Sequence, residues 1–133
     1  MKNPITKIFD TCNDPRLLCK AIRRTLHISQ RTMAKRLLTY QCYICWFETG
    51  CVYRKLKDSE FNRILYNLKI DFDESVGEIA EHTGREQAIL IFMQVLIEYL
   101  RCSAGRNYED RFEVLALLNQ FSDEFRIMTT AKG

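Results

Sequence analysis

The sequence predicts an all-α domain, and three observations carry that expectation. Helix punctuation recurs about every fifteen to twenty residues, while the two-residue apolar/polar alternation that strands require is almost absent. Gly and Pro are scarce, five and two in 133 residues. One stretch, 84–102, is apolar on nearly every side of a helix and must therefore be wrapped by other helices. The length fits a single domain over 1–133. A chain of that size buries roughly two thirds of its unfolded surface around one core without needing a disulfide or metal staple.

Taken in order, Asp14-Pro15 has the form of an N-cap followed by Pro at the first helical position, opening a helix through Leu26. Ser29 caps a second, with Ile28 and Met33 placed as a hydrophobic staple. That helix is expected to run through Tyr40, Tyr43, Trp46 and Phe47 to Gly50, where it bends or breaks. Asp58 or Ser59 caps a short helix carrying Phe61, Ile64, Leu65 and Leu68; Asp71 caps another carrying Phe72, Val76 and Ile79. Thr83-Gly84-Arg85-Glu86 fits a capping box opening the helix Gly84–Cys102. Gly105 and Asn107 supply a turn and cap, and Phe112, Leu115, Leu118 and Phe125 form the apolar stripe of a last helix, Tyr108–Met128. The expected architecture is a central hydrophobic hairpin surrounded by shorter amphipathic helices.

The net charge of +3, from 20 Lys/Arg against 17 Asp/Glu, is too near balance to argue for nucleic acid. The segment from Pro15 to Phe47 is more asymmetric, with seven bases and no acid. No secretion leader is legible, so the six Cys read as reduced thiols of an intracellular protein. The longest apolar stretch, Ala88 to Leu100, is interrupted by Gln94 and Glu98 and falls short of the ~20 residues of a bilayer span. The small and polar end, Met128 to Gly133, does not read as a membrane anchor.

Catalytic and metal chemistry find little to stand on. Cys42, Cys45 and Cys51 lack a nearby fourth ligand for zinc, and Cys residues at helical spacing behave as small apolar side chains. Neither His27 nor His82 sits in a motif that pairs it with a nucleophile, and no Gly-rich phosphate fingerprint is present. No enzyme activity, metal or cofactor is expected. Leu26 to Leu37 has the look of the turn and recognition helix of a helix-turn-helix module, with Gln30 and Arg31 placed to reach base edges. Yet it leads straight into the apolar run from Thr39 to Phe47, so no nucleic-acid partner is the expectation. Arg85 stands out because its charge opposes the positive end of the dipole of the most apolar helix. Such local conflicts tend to mark function.

Between Trp46 and Leu100 the pattern resembles the Bcl-2 family of apoptosis regulators. The run from Phe61 to Ile70 is similar to that family's F-x2-L-x3-L-x-I segment, and Phe72, Val76 and Ile79 to the helix after it. Gly84, Arg85, Ala88 and Phe92 resemble the first homology region, and family spacing puts Gly50 on the Gly of the third homology helix, with Trp46 before it and Tyr53 after. His82-Thr83 replaces an Asn-Trp pair, Cys51 stands where the third region has Asp, and neither the second region nor a membrane tail is recognisable. Such a minimal form looks more like the viral members than the cellular ones.

The resemblance implies a bundle around a buried central helix and a surface groove that takes the amphipathic third-homology (BH3) helix of a pro-death protein. By carry-over the groove wall is Tyr53, Phe61, Ile64, Leu65, Val76, Ile79, Ala88 and Phe92; Gly84 allows close backbone approach, and Arg85 pairs with the ligand's Asp. Lacking the Asp at Cys51, the chain is expected to receive such helices, not donate one. The implied role is pro-survival, in the host cytoplasm or peripheral to mitochondria, with self-association covering an empty groove. The alternatives are the same fold restraining host innate signalling through another face, which a collapsed groove would favour, and DNA binding through Leu26 to Leu37.

Overall fold

The computed structural model describes residues 3–50, 56–104 and 109–131, and all regular structure among them is helical. The helices are α1 (Pro4–Thr11), α2 (Pro15–Thr25), α3 (Gln30–Arg36), α4 (Gln41–Thr49), α5 (Asp58–Thr83), α6 (Arg85–Cys102) and α7 (Arg111–Ala131). The all-α expectation holds.

Placement follows from α6. Val95, Leu96 and Tyr99 are fully buried, Ala88, Ile89 and Phe92 nearly so, and Ile91, Met93, Ile97 and Leu100 half-buried. Burying each large apolar side chain contributes about 1.5–3 kcal/mol, and α6 obtains this by packing on α2, α5, α7 and α1. The central hairpin with α7 is present, but its seam differs from the expected one. Val114, Leu117 and Phe121 face inward, Phe112 and Leu115 are exposed, and Leu118 and Phe125 are half-buried. The cause is a nearly continuous apolar run, 114–118, which offers two overlapping stripes.

Two helix ends explain where the expected second helix breaks. α2 closes on Leu26 with His27 at φ 57, its N–H donating to the Arg24 carbonyl and the Ile28 N–H to that of Arg23. α3 repeats this pattern, with Leu38 at φ 58 donating to Lys35 and Thr39 to Ala34. Both are Schellman closures with a non-glycine residue in the left-handed position. Ser29 does cap α3, its Oγ accepting from the Thr32 N–H at 3.1 Å, but the chain turns at Leu38 and starts again at α4. Gly50, at φ 63, ends α4.

Three further boundaries differ from expectation. The helices expected from Asp58 and Asp71 are one 26-residue helix, α5, because Asp71 spends its carboxylate on Arg36 of α3 and caps nothing. The capping box at Thr83 does not form: Thr83 ends α5 and its hydroxyl donates to the Ile79 carbonyl, and Gly84, at φ 102, links α5 to α6. α1 is an additional helix, with Asn3 capping its start and Pro4 at its first position. The turn and cap read at Gly105 and Asn107 lie outside the described residues.

The short helices are fixed to the bundle by charge. Arg23 of α2 makes a two-pronged ion pair with the buried Glu48 of α4, both bonds 2.9 Å, and Gln30 of α3 donates to the same carboxylate at 3.1 Å. Arg36 reaches both Asp71 and Ser75 of α5. In return Arg63 and Asn67 of α5 donate to the Leu38 and Leu37 carbonyls at 3.0 and 3.1 Å, satisfying the end of α3.

Two outcomes follow. Glu48→Ala leaves the half-buried Arg23 guanidinium without its counter-charge, and urea denaturation is expected to register a loss of about 2–3 kcal/mol. The solvent-exposed pair Arg126–Asp123 serves as control, where Arg126→Ala should change stability by less than about 1 kcal/mol. Leu38 is 75% exposed, so Leu38→Gly loses little packing. It relieves a left-handed strain of roughly 1–2 kcal/mol at some cost in unfolded-chain entropy, for a net gain of about 0.5–1 kcal/mol. A lower melting temperature for Leu38→Gly would contradict that account.

Candidate functional site

The residues carried over as a groove lie on α5 and α6, where the structure divides them. Ile64 is fully buried, and Phe92, Val76 and Ala88 are only 5–6% exposed. Phe92 sits edge-on to Phe72 of α5, ring centroids 6.3 Å apart, and against Phe121 of α7 at 5.3 Å. These rings close the space between the three helices, so the expected open wall is here a packed interior. Phe61 is half-buried and stacks on Phe47 of α4 at 4.7 Å, which ties the start of α5 to α4. Leu65 and Ile79 are half-buried and line two different clefts. Tyr53, like Cys51, lies outside the described residues.

Arg85 opens α6 on the surface, directly after the left-handed Gly84, and makes no hydrogen bond or ion pair among the described residues. Nearby, Ile79, His82 and Thr83 line a shallow cleft of about 640 Å³ that runs along α5 to Leu26 and Arg36. Its walls carry Asp71, Glu74 and Glu78. Within that lining Arg36 pairs with Asp71, which leaves Glu74 and Glu78 as its other acids.

The basic segment is partly absorbed by structure. Arg23 and Arg36 are the inter-helix ties described above, and Gln30, one of the two side chains that would read base edges, is held by Glu48. α3 is only seven residues long. Arg31 and Lys35 are exposed upon it.

A polar joint that sequence reasoning missed lies at the other end of α6. The buried Tyr99 hydroxyl donates to the buried Asp110 carboxylate, which also accepts from the Asn13 N–H at 2.8 Å. The Asp14 N–H in turn donates to the Tyr99 oxygen at 3.1 Å. Burial, reinforced by the bond to Asp110, pushes the Tyr99 hydroxyl well above its ordinary range. The joint fixes the α1–α2 connection against the hairpin. One signal could have found α1: Asn3-Pro4 repeats the form of Asp14-Pro15, and Ile5, Ile8, Phe9 and Cys12 follow at helical spacing.

The described cysteines, Cys12, Cys19, Cys42, Cys45 and Cys102, are free thiols, and no group of His, Cys, Asp and Glu among the described residues could hold a metal ion. No described helix is long and apolar enough to cross a membrane. Burial, with the Glu48 carboxylate beside it, raises the Cys19 thiol well above its usual range. No family model, no curated protein and no solved structure matches the chain.

Because the thiolate is the reactive species, a raised pKa keeps Cys19 protonated and unreactive at neutral and mildly alkaline pH. Alkylation at pH 8 followed by mass spectrometry is expected to modify the exposed Cys42 rapidly and Cys19 only after global unfolding. Equal rates at the two thiols in the native protein would contradict the packing of α2 on α4.

Proposed function

We propose that the chain is a non-enzymatic interaction protein with a Bcl-2-like bundle that works through an outer face, the mode by which some viral members of that family restrain innate signalling. The observation that carries this reading is the sealed floor: Ile64, Val76, Ala88 and Phe92 are all at most 6% exposed. A helix receptor needs those apolar positions open to an incoming side chain. Large apolar side chains stand outside instead, Phe112 at 80% exposure and Leu115 one turn on in α7, Tyr66 and Ile70 one turn apart in α5. Pairs of exposed apolar side chains on the outer sides of α5 and α7 suit a protein partner or a second copy. The proposed setting is the host cytoplasm.

One observation favours the second reading, pro-survival capture of a pro-death third-homology helix. Arg85 is exposed and, among the described residues, unpaired at the head of a buried helix, as a guanidinium awaiting a partner's carboxylate would be. That reading requires α5 to separate from α6 so that the four sealed positions are uncovered.

Calorimetric titration of a panel of such helices against the wild type and Arg85→Ala separates the two. Outer-face action is expected to leave every peptide weaker than a Kd of about 10 µM. A tighter complex that Arg85→Ala weakens roughly 30-fold or more would replace it with groove capture.

A further inference from the structure

α2 carries a charge conflict that its neighbours resolve only in part. Arg16, Lys20 and Arg23 stand at i, i+4 and i+7, so three like charges share one face of the helix. Two of them have counter-charges: Arg16 donates from Nε to Asp14 at 3.3 Å, and Arg23 forks onto Glu48. Lys20, one turn from each guanidinium, is half-buried and makes no hydrogen bond or ion pair among the described residues.

That face of α2 is not packed shut. It forms one wall of a cavity of about 340 Å³, lined on its other sides by Gln30, Glu48 and Cys102. The polar groups around the cavity are unbalanced in one direction. Glu48 already accepts from Arg23, Gln30 and the Cys19 thiol, and Asp14 from the backbone and side chain of Arg16. A fourth cation, Arg24, reaches the rim, its Nη1 lying 3.6 Å from the Cys102 sulfur. Four cations therefore meet two acids that are both already paired, and the Lys20 ammonium is left without an acceptor. Gly50 holds this arrangement open: a Cβ at that left-handed position would collide with Arg16 Nη1, so glycine lets the guanidinium lie against the end of α4 beside the cavity.

We propose that this cavity binds a phosphate dianion, free or as the monoester of a small molecule, between Lys20 and the guanidinium groups of Arg16 and Arg23. A negative group placed there lowers the repulsion among all three cations at once. The excess of two positive charges matches the roughly −1.5 to −2 that a phosphate monoester carries near pH 7, and guanidinium forks suit its oxygens. The volume lies at the lower end of the roughly 300–1,000 Å³ of ligand pockets, so any substituent on the phosphate must be compact. The inference does not rest on the function proposed above.

Cys102 lines the cavity and so reports its occupancy. In the full chain at about pH 7.5, glycerol 3-phosphate or inorganic phosphate at about 5 mM, with ionic strength matched by chloride, is expected to slow alkylation of Cys102 roughly fivefold, as a Kd near 1 mM requires, and to leave the exposed Cys42 unchanged. Protection by the monoester at lower concentration than the free ion places the substituent in the cavity; equal protection assigns the site to the free ion. Dimethyl phosphate, which carries a single charge, should protect at least about threefold less. Lys20→Met removes the charge and keeps most of the stem. It should melt no lower than the wild type in phosphate-free buffer and lose the protection, which Lys20→Arg should restore. Protection of Cys102 and Cys42 alike, protection matched by chloride or dimethyl phosphate, protection retained in Lys20→Met, or a less stable Lys20→Met would overturn the proposal.

Discussion

A helix that is apolar on nearly every side cannot face water, and the arrangement of this bundle is the answer to that constraint. α6 offers no polar stripe along which it could be left uncovered, so α2, α5 and α7 close around it and α1 fills the remaining gap. The hydrophobic term behind this arrangement is non-directional: it demands cover and is indifferent to which helix supplies it. Direction comes from a few polar contacts. Tyr99 on the buried face of α6 meets Asp110 before α7, and together they hold the two backbone amides at Asn13 and Asp14, which fixes where the N-terminal chain crosses the hairpin.

The short helices depend on a different kind of tie. α3 and α4, at seven and nine residues, bury Met33, Ile44 and Phe47, and their positions are further pinned by two arginines that read in sequence as a basic face. Arg23 is drawn in by Glu48, which is itself 8% exposed, and Arg36 by Asp71. A buried pair of this sort adds little net stability over an apolar substitute, but removing one partner strands the other charge, so it penalises every alternative register of α3 and α4. Charge asymmetry along the segment 15–47 therefore reflects acids supplied from α4 and α5 as much as a solvated surface.

Much of the fold is legible in the residues because its signals are local. Asp14-Pro15, Ser29 and Gly50 each sit where a cap or a left-handed residue is needed, and α6 is bounded to within one residue by composition alone. The misreadings share a cause, a local signal overruled by a tertiary partner. Leu38 breaks a helix with no glycine to announce it, because Arg63 and Asn67 of a distant segment accept the cost of ending it there. Asp71 has the look of a cap until Arg36 claims it. At the site the same limit applies more strongly. Periodicity places Ile64, Val76, Ala88 and Phe92 on inward faces correctly, but whether an inward face meets a partner's helix or its own neighbours is decided by how closely α5 approaches α6. Nothing in the spacing of one chain encodes that distance; here Phe72 of α5 packs edge-on against Phe92 of α6.

The same reasoning bears on what a sealed bundle can bind. An apolar position is available to a partner only if exposing it costs less than the partner's contacts return, and the cost differs greatly across this molecule. Uncovering Phe92 separates three aromatic rings in the core and opens a cavity among α5, α6 and α7, which carries a penalty of several kcal/mol for a single large side chain. Exposed side chains such as Phe112 of α7 and Tyr66 of α5 are already uncovered, so a partner that docks on them meets no such penalty.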